Sequence, residues 1–381
     1  MVKHPNVILG GKKSVKVAIP QFPPVWMDLK KSVERACELI QEAGREGAEL
    51  VAFSEVWLAG YPFWSEGWDS DLEKWAAARV IWYDNSISIP SEELDALIDA
   101  ARSANAYVVM GCNERDERPG TATVYNTLLF IGREGKLIGK HRKLIPTGME
   151  RMFHGRGDSR DVAVFETDIG RIGGLICSEG TMTAVRAAMI AMGEDIHISA
   201  WPGNFAVHTG PRVHEADRDG LFWGHAVSRC HALEASAFVI EPVGIMDQAH
   251  MPSDFPLKER FNTSWSQGDS EVVGPIGVPI AGPVEGQKMI YATLEADLLK
   301  VKRGMVDAVG HYARPDVVQV LLKRFGGETL QMEPPRGLSG ERIPHSDRVR
   351  SVADKYDLDE DVLREAVEVL LGSSGRPDRA T

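Results

Sequence analysis

Cysteine is scarce in this chain: Cys37, Cys112, Cys177 and Cys230 stand far apart, with no Cys-x-x-Cys pairing. That spacing argues against a zinc ribbon or a disulfide framework and fits a reducing compartment, so any reactive cysteine must act alone. Cationic charge is in deficit as well. The formal net charge of -12 leaves no basic surplus to displace counterions from a phosphate backbone, and nucleic acid is not an expected partner. No apolar run approaches the roughly 18 residues of a membrane span, and Met1-Val2-Lys3-His4-Pro5 lacks the apolar stretch of a secretion signal. The chain is therefore expected to be cytoplasmic, with no membrane partner. P-loop, Gly-x-Gly-x-x-Gly and His-Glu-x-x-His patterns are missing, as are internal repeats and low-complexity segments. The sequon Asn262-Thr263-Ser264 is expected by chance.

What is there is an alternating pattern. With 43% hydrophobic residues in 381, the chain can fill a substantial core. Residues 15–22 read as a buried strand and 27–47 as a helix with an apolar face at Leu29, Val33, Cys37, Leu39 and Ile40. Further strands are expected at 49–53 and 107–112, a helix at 91–104, and a hairpin from 124–131 to 136–141 around Gly132-Arg133-Glu134-Gly135. Strands at 162–165, 171–176, 196–201, 238–242, 272–275 and 288–294, with helices at 182–192 and 214–235, continue the series. The reading is one large α/β domain over 1–316. Beyond it, Pro334-Pro335-Arg336-Gly337 reads as a linker and 346–371 as two charged amphipathic helices. Residues 317–381 are thus expected to form a C-terminal helical arm that needs a partner surface.

In alternating α/β layers, strand ends carry sites. Glu55 follows the run 49–53, and Cys177 ends the run 171–176, where Glu179-Gly180-Thr181 reads as a turn into a helix. A helix start favours a thiolate, the nucleophilic form, although a cysteine taken alone is more often a small buried hydrophobe. Between these positions, Lys140-His141-Arg142-Lys143 runs straight into Leu144-Ile145-Pro146, so at least one cation is carried inward. A desolvated lysine beside a carboxylate and a thiolate can stabilise developing negative charge. The tryptophans Trp57, Trp64, Trp68, Trp75 and Trp82 read first as core or interface, and Trp201-Pro202-Gly203-Asn204 is another strand-end loop.

A glutamate, a lysine and a cysteine at strand ends, in that order, resemble the nitrilase superfamily of carbon-nitrogen hydrolases, and within it the nitrilase branch. Phe53-Ser54-Glu55 with Gly60-Tyr61-Pro62 is similar to the family's glutamate motif. Lys140 to Thr147, with Glu150-Arg151 and Gly155-Arg156-Gly157-Asp158, resembles its lysine motif, and Gly174-Leu175-Ile176-Cys177-Ser178-Glu179 its nucleophile motif. Asp307 and Gly310-His311-Tyr312-Ala313-Arg314-Pro315-Asp316 resemble a stretch typical of nitrilases proper. The resemblance implies a four-layer αββα sandwich and homo-oligomers built from dimers, often spiral filaments, in which the C-terminal arm takes part. It implies Cys177 as nucleophile, Glu55 as general base, Lys143 as cationic stabiliser and Glu150 as a second carboxylate orienting the lysine or substrate. Neither metal nor organic cofactor is implied, only a small-molecule nitrile and water.

The sequence departs from the family pattern after the nucleophile. Nitrilases commonly carry Trp, Glu, Asn or His, and then Pro; here the run is Cys177-Ser178-Glu179-Gly180-Thr181, and His154 stands where a Trp is usual. Candidates for the substrate wall are Trp57, Tyr61, His154, Ser178, Glu179 and Trp201. The expected reaction is hydrolysis of an organic nitrile to the carboxylic acid and ammonia through a thioimidate and a thioester. An aliphatic amidase or N-carbamoylase and a cyanide-degrading enzyme would use the same three residues, and a non-catalytic filament scaffold would not need them. A Cys-His protease is weaker, because no histidine stands in a recognisable motif.

Overall fold

The computed structural model describes residues 7–64, 71–204, 223–260 and 266–322. The chain divides into two compact units, Met1–Gly326 and Gly327–Thr381, and the second lies outside the described residues. So do the linker and amphipathic helices expected beyond residue 330, the Asn262 sequon and Trp68.

The strands are β1 (Ser14–Gln21), β2 (Leu50–Ala52), β3 (Tyr107–Arg115), β4 (Val124–Gly132), β5 (Lys136–Arg142), β6 (Phe165–Thr167), β7 (Gly170–Ile176), β8 (Ile196–Ala200), β9 (Phe238–Glu241), β10 (Ile245–Met246), β11 (Ser266–Val273), β12 (Pro279–Glu285) and β13 (Lys288–Glu295). The helices are α1 (Leu29–Arg45), α2 (Leu72–Asp84), α3 (Glu92–Ala104), α4 (Thr183–Ala191), α5 (Trp223–Ala235) and α6 (Ala296–Met305). The strands form two sheets, one ordered β13-β1-β2-β3-β4-β5 and the other β10-β11-β9-β8-β7-β6, with β12 added on β11. Parallel pairs at the centre of each sheet (β1 with β2, β2 with β3; β7 with β8, β8 with β9) are flanked by antiparallel ones.

Strand alternation explains why the sheets stack, since successive side chains point to opposite faces. Val15, Val17 and Ile19 of β1, Leu50 and Ala52 of β2, Val109 of β3, and Leu128 and Phe130 of β4 meet Ile172, Ile176, Ile196, Ile198, Phe238 and Ile240 of the second sheet in one buried core. The alternate residues Ala18, Val51, Val108, Met110, Leu129 and Ile131 pack instead against α1 and α3. On the far side, Leu175 meets Met189 of α4, and Val239 and Val273 meet Ala232 of α5. The result is the αββα sandwich that the resemblance implied. Helix starts are capped as composition dictates: Asp28 accepts from the Lys31 N–H at 3.0 Å and Ser91 from the Leu94 N–H at 3.3 Å.

Several elements depart from the pattern reading: the strands expected at 162–165 and 272–275 lie at Phe165–Thr167 and Ser266–Val273, and β10, β12 and α6 have no counterpart in it. The run at 57–82 contains α2, whose Trp75 and Trp82 join Trp64 and Phe153 in an aromatic cluster, with Trp64 edge-on to Phe153 at 4.7 Å. The helix expected from 182 begins at Thr183, and a 3-10 turn, Cys177–Thr181, separates it from β7.

Candidate active site

The site forms where strand ends of the two sheets face each other across the core. Glu55 follows β2, and Gly111 of β3 makes room for it: a Cβ there would lie 2.0 Å from the Ser54 carbonyl oxygen, a backbone clash that only glycine avoids. Lys143 follows β5, where alternation sorts the cationic run. Lys140 and Arg142 turn outward onto Glu114 of β3, at 2.5 and 2.6 Å. His141 and Lys143 turn inward, and Lys143 is fully buried.

Its ammonium lies 2.8 Å from Glu55 Oε1 and 2.9 Å from Glu150 Oε2. Glu150 sits on a 3-10 turn, Gly148–Met152, where its carboxylate also accepts from Tyr61 Oη at 2.8 Å and from the Thr147 N–H at 3.2 Å. Asn126 of β4 donates to Glu55 Oε1 at 2.6 Å. The other oxygen, Glu55 Oε2, is buried with no hydrogen-bond partner among the described residues.

Cys177 follows β7 with φ 55°, a left-handed conformation that costs a non-glycine residue roughly 1 kcal/mol or more. Continued as strand, Cys177 would share the α4-facing side of Leu175. With the turn, both Ile176 and Cys177 belong to the core between the sheets, on the side of Glu55 and Lys143.

The electrostatics follow from burial. Burial drives Glu55 up, the neighbouring Glu150 charge adds to it, and Lys143 only partly offsets them, so Glu55 is pushed up to about 7. For Glu150 burial is outweighed by Lys143, which holds it below the ordinary carboxylate range. Lys143 resists the pull of burial through Glu150 and Glu55 and stays cationic. Burial, and then the Glu55 charge, push the Cys177 thiol well up. This corrects the expectation of a helix-start thiolate: no α-helix begins at Cys177, and burial favours the thiol.

The wall candidates occupy varied places. Trp57 and Tyr61 line a narrow cavity with Ser54, Glu55, Pro202 and Met246, and the Trp57 indole donates to the Phe22 carbonyl at 2.7 Å. The Ser178 hydroxyl is 3.5 Å from the Cys177 sulfur. His154 pairs through Nε2 with Asn113 Oδ1 at 2.8 Å and lies edge-on to Trp82, while Asn113 Nδ2 donates to the Gly60 carbonyl at 3.0 Å. Trp201 is in the inter-sheet core and donates to Ser199 Oγ at 3.0 Å. Glu179 has both carboxylate oxygens on protein donors: the Leu144 N–H, the Ile176 N–H and His141. Asn126 and Asn113 were not singled out by sequence, their one signal being a polar residue on the inward parity of an apolar strand, and His141 stood in the cationic run without a role of its own.

Two buried histidine–carboxylate groups, Glu194 with His197 and His231, and His225 with Glu241 and Glu271, could each offer three ligand atoms to a cation. Both lie between the second sheet and α5. Their carboxylates already accept from the imidazoles, at 2.8 Å in the first group and 3.0 Å in the second, and Glu271 from Arg229.

A family model for carbon-nitrogen hydrolases matches residues 16–303. An aliphatic nitrilase of Rhodococcus rhodochrous is 34% identical over 310 residues, covering 80% of this chain and 81% of that protein. An arylacetonitrilase of Aspergillus niger is 32% identical over 310 residues, covering 80% of this chain and 87% of its own length. Among solved structures, a Saccharomyces cerevisiae member of branch 10 of the nitrilase superfamily superposes with a TM-score of 0.62 at 22% identity, covering 80% of this chain and 98% of that one.

Proposed function

The chain belongs to the carbon-nitrogen hydrolase family, in its nitrilase branch, and from that membership we propose that it hydrolyses an organic nitrile with Cys177, Glu55 and Lys143. The observation that carries this reading is the buried Lys143 ammonium bridging Glu55 and Glu150 beside a cysteine whose thiol both charges influence.

Glu55 Oε2, unpartnered and on a carboxylate titrating near neutrality, takes the Cys177 proton as sulfur attacks the nitrile carbon. The C–S bond forms, the proton passes to nitrogen, and a thioimidate results. Water adds with Glu55 as base, the C–N bond breaks, ammonia leaves with a proton from Glu55, and a thioester remains. A second water releases the carboxylic acid and restores the thiol. Lys143 stabilises the negative charge that appears at each tetrahedral stage, and Glu150, itself held by Tyr61, orients the lysine. Trp57, Tyr61, His154, Ser178 and Trp201 supply the wall that selects the nitrile.

The test is a panel of aliphatic, aryl and arylacetonitriles, their matching amides and cyanide, scored by ammonia release with Cys177→Ala as control. Nitrile turnover that the control lacks supports the reading. Preference for the amides would make it an amidase, turnover of cyanide alone a cyanide-degrading enzyme, and activity of Cys177→Ala would remove the nucleophile assignment. We also propose that residues 317–381 serve homo-oligomerisation, which sedimentation of the full chain against one ending at residue 316 would check.

A further inference from the structure

We propose that Glu179 and His141 are positioning residues that staple the nucleophile turn of the second sheet to the lysine strand of the first, and so set the Cys177 to Lys143 separation; this rests on the catalytic reading above. Glu179 Oε1 accepts from the Leu144 N–H at 2.7 Å, and Oε2 from the Ile176 N–H at 3.0 Å. Leu144 is the residue after Lys143, and Ile176 the residue before Cys177. One buried carboxylate therefore grips the backbone next to both catalytic groups.

His141 completes the joint. Its Nε2 faces Glu179 Oε2 at 2.7 Å and its Nδ1 faces the Asp161 carbonyl at 3.0 Å. A carbonyl can only accept, so Nδ1 carries a hydrogen; facing an ionised carboxylate, Nε2 carries one too. The pair is an imidazolium–carboxylate couple, with His141 raised and Glu179 lowered because their mutual attraction outweighs burial. His141 and Lys143 share the inward face of one strand end, so the cation anchoring Glu179 and the cation serving the reaction are fixed by a single backbone. With both oxygens engaged by three protein donors, Glu179 is placed to orient the site without touching substrate. A displacement of about 1 Å between reacting groups can cost on the order of 100-fold in rate.

Glu179→Gln replaces one acceptor oxygen by an NH2 that opposes a backbone N–H. Expected on the best nitrile of the panel is a kcat fall of about 100-fold with KM within about threefold. Iodoacetamide labelling of Cys177, followed by mass spectrometry, should slow and shift its pH midpoint upward as Lys143 drifts from the sulfur. His141→Gln, which keeps a donor toward Glu179, should recover at least about tenfold over His141→Leu. Circular dichroism and sedimentation establish that each variant is folded; if Glu179→Gln is not, the same kcat and labelling comparison is read on His141→Gln, which leaves both backbone contacts intact. A folded variant with unchanged kcat and labelling overturns the staple, as does a rise in KM alone, which would place Glu179 against substrate. Loss of the staple leaves Cys177→Ala inactive, whereas failure of the catalytic reading leaves it active, so the two are separable.

Discussion

Glu55 is held by one oxygen, and no partner among the described residues engages the other. Asn126 and Lys143 engage Oε1, and in the proposed reaction Oε2 exchanges protons with sulfur, nitrogen and water in turn. Because the proposed reaction needs Glu55 as base and burial pushes Glu55 up to about 7, kcat/KM should rise with pH through that value and then level. Asn126 lowers Glu55 by donating to its charged form, so Asn126→Leu should move the limb to higher pH and depress the rate more at pH 6 than at pH 9. A pH–rate profile that stays in place would remove Asn126 from the proton-transfer apparatus. Glu55, Lys143 and Cys177 were legible because their motifs are long and ordered. Asn126 and Asn113 were not, because an asparagine inside an apolar run reads as an interruption until the opposite sheet shows which side is inward. The thiolate expectation failed for a related reason: a glycine-rich strand end predicts a turn, but not that the turn is a left-handed residue followed by 3-10 geometry.

At the scale of elements, single residues decide where a strand end can go. Gly111→Ala would press a methyl group onto the Ser54 backbone, and overpacking of this kind costs typically 1–3 kcal/mol. The expected result is a lower Tm together with a kcat loss larger than the Tm shift explains, since Glu55 is the neighbour displaced; an active, merely less stable variant would disconnect the two. Helix α5 bears a second prediction. Burial works against the His225 cation, yet hydrogen bonds to Asp269 and Glu241 and the charge of Glu271 push it up to about 10, with Arg229 balancing Glu271. An unfolded imidazole titrates near 6.5, so this stabilisation is complete below that pH and drains away as pH rises from 6.5 through about 10. Glu241, pushed up to about 7, titrates lower, so within this cluster the span from pH 7.5 to 10 reports on His225, and the comparison with a variant removes what other groups contribute. His225→Gln should flatten the fall of Tm across that span, and parallel curves would refute the assignment. The β4–β5 hairpin was readable from its turn. Helix α2 was not: Trp75, Ala76, Ala77, Ala78, Val80, Ile81 and Trp82 run all round it, with Ala78 and Trp82 buried and Val80 exposed, so no apolar stripe marks it.

For the whole molecule, alternation of strand and helix sufficed to say α/β, while the pairing of two sheets face to face came from the family resemblance. The sequence reports that β1 to β4 are apolar on both faces, but not which layer covers which face. The consequence concerns heat. The proposed base and lysine ride on one sheet and the proposed nucleophile on the other, joined across an apolar core by a few polar ties such as Glu179 to the Leu144 N–H, while each sheet keeps its own hydrogen bonds. Warming should therefore uncouple the chemistry before it melts the scaffold: turnover should collapse several degrees below the calorimetric transition and return on cooling, and coincident curves would mean that the two layers loosen only as one.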